Sequence, residues 1–246
     1  MRRLGHGDYE RVLDFIAETQ EAAHADNFGA ALVEVVKRFF PGVVPGYDQI
    51  HEARGLYVID HGVDLSADAV TRYFARLQEV YQQNPIYNYI RDGGKEAVVD
   101  IGDLATRSRF ERTDFYQDIF KPLGIKHQLV ITMPREGWIT TLTLNHETSF
   151  RVETVAMLKL LAPHIISAHR TACRLGELRA AAEGRPQQEL KLTFREAEVF
   201  HWMREGKRNG EIAVILGCST RTVEKHVENI LRKTGAETRA AAVRAF

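Results

Sequence analysis

A chain of 246 residues with 33 Lys or Arg, 33 Asp or Glu and 44% hydrophobic residues has the makeup of a globular protein with room for two cores. No apolar run nears the ~18 residues a membrane span requires. The start from Met1 to Asp8 lacks the apolar stretch of a secretory signal, and Cys173 and Cys218 have no metal-site or disulfide-framework spacing, so the expectation is a cytoplasmic protein without metal, cofactor or membrane partner.

In chain order, Asp8 is placed to cap a helix reaching about residue 20, and Asn27 a second reaching Phe40, stopped by Pro41-Gly42. Residues 56–60 read as a strand. Ser66 opens a third helix, with Ala69, Val70, Tyr73, Phe74, Leu77 and Val80 at helical spacing. Strands follow at 97–101, 127–133 and 138–144, the last two joined by Pro134-Arg135-Glu136-Gly137 as a hairpin. From Ser149 a helical pattern runs to about residue 182, with Pro163 as its kink and an apolar face able to pair with a second copy. Residues 183–189, polar and carrying Gly184 and Pro186, read as a linker. The fold class is therefore α+β over residues 1–182, then the linker, then an all-α unit over residues 190–246.

That last unit is where charge concentrates. It holds 11 basic and 7 acidic side chains, a net of +4, against 22 and 26 in the remainder. Such asymmetry is expected when one part meets phosphates and the other does not. Thr193 with Glu196 forms a capping box, followed by Ala197, Val199, Phe200 and Met203 as a buried stripe, ending at Gly206. Asn209 caps a helix with Ile212, Ala213, Ile215 and Leu216 inward, ending at Gly217. Ser219 caps a third helix to about Thr234, with Val223, His226, Val227, Ile230 and Leu231 on one face. Arg221, Thr222, Lys225, Asn229 and Arg232 remain for the other. Gly235 closes it, and a short helix from about Thr238 finishes the chain. Two short helices around a tight glycine turn describe a helix-turn-helix. Lys, Arg and Asn on the exposed face of the third helix hold phosphates or base edges in duplex DNA; the alternative is a solvated charged face.

The runs Leu192-Thr193 with Arg195-Glu196 and Glu198-Val199, then Gly206-Lys207 with Asn209, Glu211-Ile212-Ala213, and Leu216-Gly217 with Ser219 and Arg221 to His226 resemble the LuxR-type DNA-binding domain. Lys233-Thr234-Gly235 is similar to the Lys-Leu-Gly that usually follows; Thr234 in place of Leu, and Cys218 in place of an aliphatic residue, depart from the pattern. The resemblance implies that Thr220, Arg221, Thr222, Lys225 and Asn229 lie at the DNA. Val223 is left open between touching a thymine methyl and packing inward. Glu196, Glu198 and Glu211 read as structural.

Upstream, Phe120-Lys121-Pro122-Leu123-Gly124 running into 125–129, and Leu160-Leu161-Ala162-Pro163-His164-Ile165, resemble full-length regulators of the same family. This implies a GAF/PAS-like sensor domain with about five strands flanked by helices. The acyl-homoserine-lactone-binding variant carries Trp and Tyr on one helix and an Asp-Pro; here stand Tyr73, Tyr81 and Asn84-Pro85, with no Trp on that helix. Tyr57, Tyr73, Tyr81, Asn84 and Trp138 are the candidate ligand residues, although core packing is the commoner role for aromatics.

Other constellations fail. His164 and His169 project about 140° apart on a helix, and Asp100, Asp103 and Asp114 lack a phosphoreceiver frame. With no nucleophile–base pair or nucleotide loop visible, the chain is not expected to be an enzyme. The expected function is a homodimeric, sequence-specific regulator binding double-stranded DNA, with RNA polymerase as a further partner and a small-molecule or protein signal at the N-terminal domain. The rivals are a sigma-factor-like promoter-recognition protein, which the α+β region argues against, and an acyl-homoserine-lactone-responsive quorum-sensing regulator.

Overall fold

The computed structural model describes residues 6–51, 56–62, 73, 76–77, 79–135, 137–182, 192 and 194–245. Most of the helix expected from Ser66 and the linker at 183–189 lie outside them. The described residues fall into two compact units: Met1–Gln49, Val58–Asp64 and Ala75–Leu175 in one, and Ile50–Tyr57, Leu65–Phe74 and Gly176–Phe246 in the other. Among the described residues no helix is long and apolar enough to cross a membrane.

Helix α1 (His6–Ala22) begins two residues ahead of Asp8, which is therefore inside the helix and not its cap. Helix α2 (Phe28–Phe39) starts as expected: Asn27 Oδ1 accepts from the Ala30 N–H at 3.1 Å, satisfying an amide no helical carbonyl reaches. The two helices pack together, with Phe15 edge-on to Phe39 at 5.2 Å.

Five strands form one sheet: β1 (Val44–His51), β2 (Leu56–His61), β3 (Val98–Asp100), β4 (His127–Thr132) and β5 (Ile139–His146), in the order β2-β1-β5-β4-β3. Strand β1 breaks the usual strand signals with Pro45-Gly46. Gly46 is needed because a Cβ there would meet Thr143 Oγ1 at 2.7 Å, and that hydroxyl donates to the Gly46 carbonyl at 3.2 Å. Strands β4 and β5 pair antiparallel, with Leu129 opposite Leu144 and Ile131 opposite Leu142. These four share one face and pack on Phe15, Leu32 and Val36, and on Leu158, Leu161 and Ile165 of α6 (Val152–Ala182). Helix α6 starts three residues beyond Ser149 and contains Pro163.

Between Asn84 and β4 lie the short helices α3 (Pro85–Arg91), α4 (Ile101–Leu104) and α5 (Arg107–Phe110), with α3 against β5 and α4 against β4. A π-helical turn at Tyr116–Phe120 and a 3-10 turn at Lys121–Leu123 end on Gly124 at φ +69°, which releases the chain into β4.

His169 on α6 is buried, with Nδ1 3.0 Å from the Tyr47 hydroxyl and Nε2 3.6 Å from Cys173 Sγ. Burial first, then the charges of Arg135 and Arg170, lower its pKa to about 4. An unfolded His takes its proton near 6.5, so between those values unfolding binds a proton and acidification destabilises the fold. Asp48 acts with the opposite sign. Burial and the Asp60 charge raise its pKa to about 7, so its contribution falls as pH rises through the same window. The difference between wild type and an H169Q chain isolates the histidine. Calorimetry will show wild type losing Tm relative to H169Q from pH 7 to pH 5; a constant difference contradicts this.

Candidate nucleic-acid interface

Four helices lie within the described residues 194–245: α7 (Phe194–Arg204), α8 (Asn209–Ile215), α9 (Thr220–Thr234) and α10 (Arg239–Ala245). The turns between the first three need left-handed glycines. Gly206 sits at φ +72° and Gly217 at φ +60°; beside them the N–H groups of Lys207 and Cys218 reach back to the carbonyls of Trp202 and Ala213, each at 3.0 Å. Val199, Ile212, Val223, Ile230 and Ala242 are fully buried between the helices. Val223 therefore packs inward, which closes the alternative left open for it.

Polar pins fix the helices to one another. Lys233 Nζ lies 2.5 Å from Glu196 Oε2, with the Glu196 side chain only 4% exposed. Arg195 holds Glu198 at 2.8 Å and donates to the Leu216 carbonyl at 2.6 Å, tying α7 to the end of α8. Burial raises the Glu198 pKa while Arg195 opposes it. Asn209 is the first residue of α8 and not its cap: Glu211 Oε2 accepts from the Arg208 N–H at 2.7 Å, leaving Asn209 Oδ1 to accept from Arg239 at 2.8 Å. A residue able to cap is claimed instead by a guanidinium from α10. Thr193 lies outside the described residues, and with it the capping box.

Ser219 caps α9 as expected, its Oγ accepting from the Thr222 N–H at 3.1 Å. Thr220, Arg221, Thr222, Lys225 and Arg232 are exposed, and Asn229 is half-buried; Arg232 donates to Asn229 Oδ1 at 3.4 Å. At 3.6 residues per turn, Arg221, Lys225, Glu228 and Arg232 occupy an arc of about 60° opposite Val223 and Ile230. Sequence reasoning passed over Glu228. Its signal was the spacing from Arg221 and Lys225, which places a carboxylate inside the basic stripe. Lys225 Nζ and Glu228 Oε2 are 2.9 Å apart, with the two side chains 67% and 69% exposed.

Three of the N-terminal candidates, Tyr81, Asn84 and Trp138, make local contacts. Nothing is described of the Tyr57 side chain, and Tyr73 is half-buried. Tyr81 meets Tyr87 edge-on at 4.8 Å. Asn84 caps α3 by accepting from the Ile86 N–H at 2.9 Å. The Arg135 guanidinium covers the Trp138 ring at 4.7 Å. A different group shares one buried sheet face: Gln128, Thr141, Thr143 and Asn145, each at most 7% exposed. Gln128 donates to Asn145 Oδ1 at 2.8 Å, and Asn145 donates to the Val44 carbonyl at 3.0 Å. Asp48 hydrogen-bonds Thr141 beside them, while Gln128 Oε1 has no partner among the described residues. Their spacing of two along β5 was visible; the burial of both faces was not.

Residues 190–246 match the family described as "Bacterial regulatory proteins, luxR family". The chain is 33% identical over 121 residues to the transcriptional activator protein AhyR of Aeromonas hydrophila, a match covering 49% of this chain and 44% of AhyR. It is 38% identical over 87 residues to RpaR of Rhodopseudomonas palustris, an HTH-type quorum sensing-dependent transcriptional regulator, covering 33% of this chain and 36% of RpaR. These matches span less than half the length of either relative. The crystal structure of the VqsR LBD domain from Pseudomonas aeruginosa shares the fold, with a TM-score of 0.53 and 21% identity, covering 69% of this chain and 98% of that one.

Proposed function

We propose that this chain, whose residues 190–246 form a luxR-family helix-turn-helix domain, is a homodimeric regulator that binds duplex DNA sequence-specifically and answers a signal at residues 1–182. The observation that carries this reading is the outward stripe of α9. Its basic groups, Arg221, Lys225 and Arg232, face solvent on a helix held rigidly by the buried Val223 and Ile230. A helix so mounted fits the major groove, where Arg and Lys hold guanine edges or phosphates and Asn reads adenine. Thr220, Thr222 and Asn229 flank the stripe and join the contact.

Dimerisation is supported by α6, which exposes Val152, Leu160 and Leu178 at 78%, 51% and 57%, apolar surface that a second copy removes from water. A small-molecule signal is supported by the buried polar row of Gln128, Thr141, Thr143 and Asn145, with Gln128 Oε1 left for a donor. A buried acceptor without a partner carries a desolvation cost that a ligand amine, amide or hydroxyl would relieve.

Selection of bound duplexes from a random pool with the full chain tests the proposal. Enriched sites will be two-fold symmetric, with half-sites about 34–36 Å apart or a multiple of that. A pool that gains no sequence preference after repeated rounds overturns it.

A further inference from the structure

Glu228 is out of place on a surface meant for a polyanion. It stands among Arg221, Lys225 and Arg232 on the exposed face of α9, where phosphates would repel a carboxylate. Stability does not account for it, since an ion pair this exposed contributes little to a helix. Lys225, by hydrogen bond and charge, and then Arg232 hold its pKa below the usual carboxylate range, so it stays ionised and offers acceptors alone. In the major groove such a group finds donors only at cytosine N4 and adenine N6, and is repelled by guanine O6 and N7 and by thymine O4.

Resting on the DNA-binding reading above, we infer that Lys225 and Glu228 act together as a reader of a single G·C base pair, the ammonium on guanine and the carboxylate on cytosine N4. The spacing fits. The two charged atoms lie 2.9 Å apart, and guanine O6 and cytosine N4 are joined by an N–H···O bond of about 2.9–3.0 Å. The pair therefore sets a donor beside an acceptor at the separation of the base-pair edge. An A·T pair also places a donor beside acceptors, but only guanine gives the ammonium two acceptors, N7 and O6, on one base.

Random-pool selections run in parallel on the full wild-type, E228A and E228Q chains test this. Wild type will fix a G·C pair at one column of each half-site, preferring it over other pairs by roughly 5- to 150-fold. E228A will lose preference at that column alone and bind unselected DNA no more weakly than wild type. E228Q will shift the column toward adenine, which a carboxamide reads through N6 and N7. An E228A chain that keeps the wild-type column, or loses preference at every column, overturns the inference while leaving DNA binding intact. A wild-type chain that enriches nothing overturns the DNA-binding reading itself, and this inference with it.

Discussion

A K233M chain will melt its C-terminal helices well below wild type, by roughly 12–24 °C, for a loss of about 3 kcal/mol. The methionine keeps the length and apolar stem of Lys233 but removes the ammonium that lies 2.5 Å from Glu196. Glu196 is almost wholly buried on α7, so its charge loses the Lys233 ammonium in a medium that solvates it poorly. The value sits at the low end of the range for broken buried pairs because about a quarter of the Lys233 side chain meets water. Adding E196Q removes the buried charge and will restore part of the loss. Calorimetry on the full chain checks both variants. A K233M transition at the wild-type temperature would mean that the pin between α7 and α9 contributes nothing.

The second large effect concerns affinity. An R221A/K225A/R232A chain will lose roughly 4–10 kcal/mol of binding to the selected duplex, the interval between specific and non-specific complexes. Its dependence of log K on log salt will flatten by up to about three contacts' worth. All three side chains are exposed and none supports the buried seam of α9, so the variant will melt with wild type. Fluorescence anisotropy across a salt series measures both quantities. Undiminished affinity would place the DNA contact elsewhere on the chain.

The parts of the molecule that were legible in the sequence are those where local chemistry and tertiary packing agree. Asn27, Ser219 and Gly235 mark helix ends through bonds made within one turn. The β4–β5 hairpin follows from two strand-forming runs on either side of Pro134-Arg135-Glu136-Gly137. The face of α9 is visible because Val223 and Ile230 are both buried at one spacing. The failures have a common cause in long-range partners. Strand β1 carries Pro45-Gly46 because Thr143, nearly a hundred residues on, presses against Gly46. Asn209 looks like a cap, but Arg239 takes its oxygen. Thr141, Thr143 and Asn145 are polar residues at a spacing of two, yet β5 is buried on both faces. Glu228 was hidden among charges whose mean was basic; only its distance from Lys225 sets it apart.

The entry of α9 into the major groove is tested most directly by methylation interference on the selected duplex, because one reagent marks both grooves. Dimethyl sulfate modifies guanine N7 on the major-groove edge and adenine N3 on the minor-groove edge. The account predicts that methylation of guanine N7 within each half-site blocks the full chain, whereas adenine N3 methylation within the same half-sites is tolerated. Binding that survives every guanine N7 methyl group and fails on adenine N3 would contradict it.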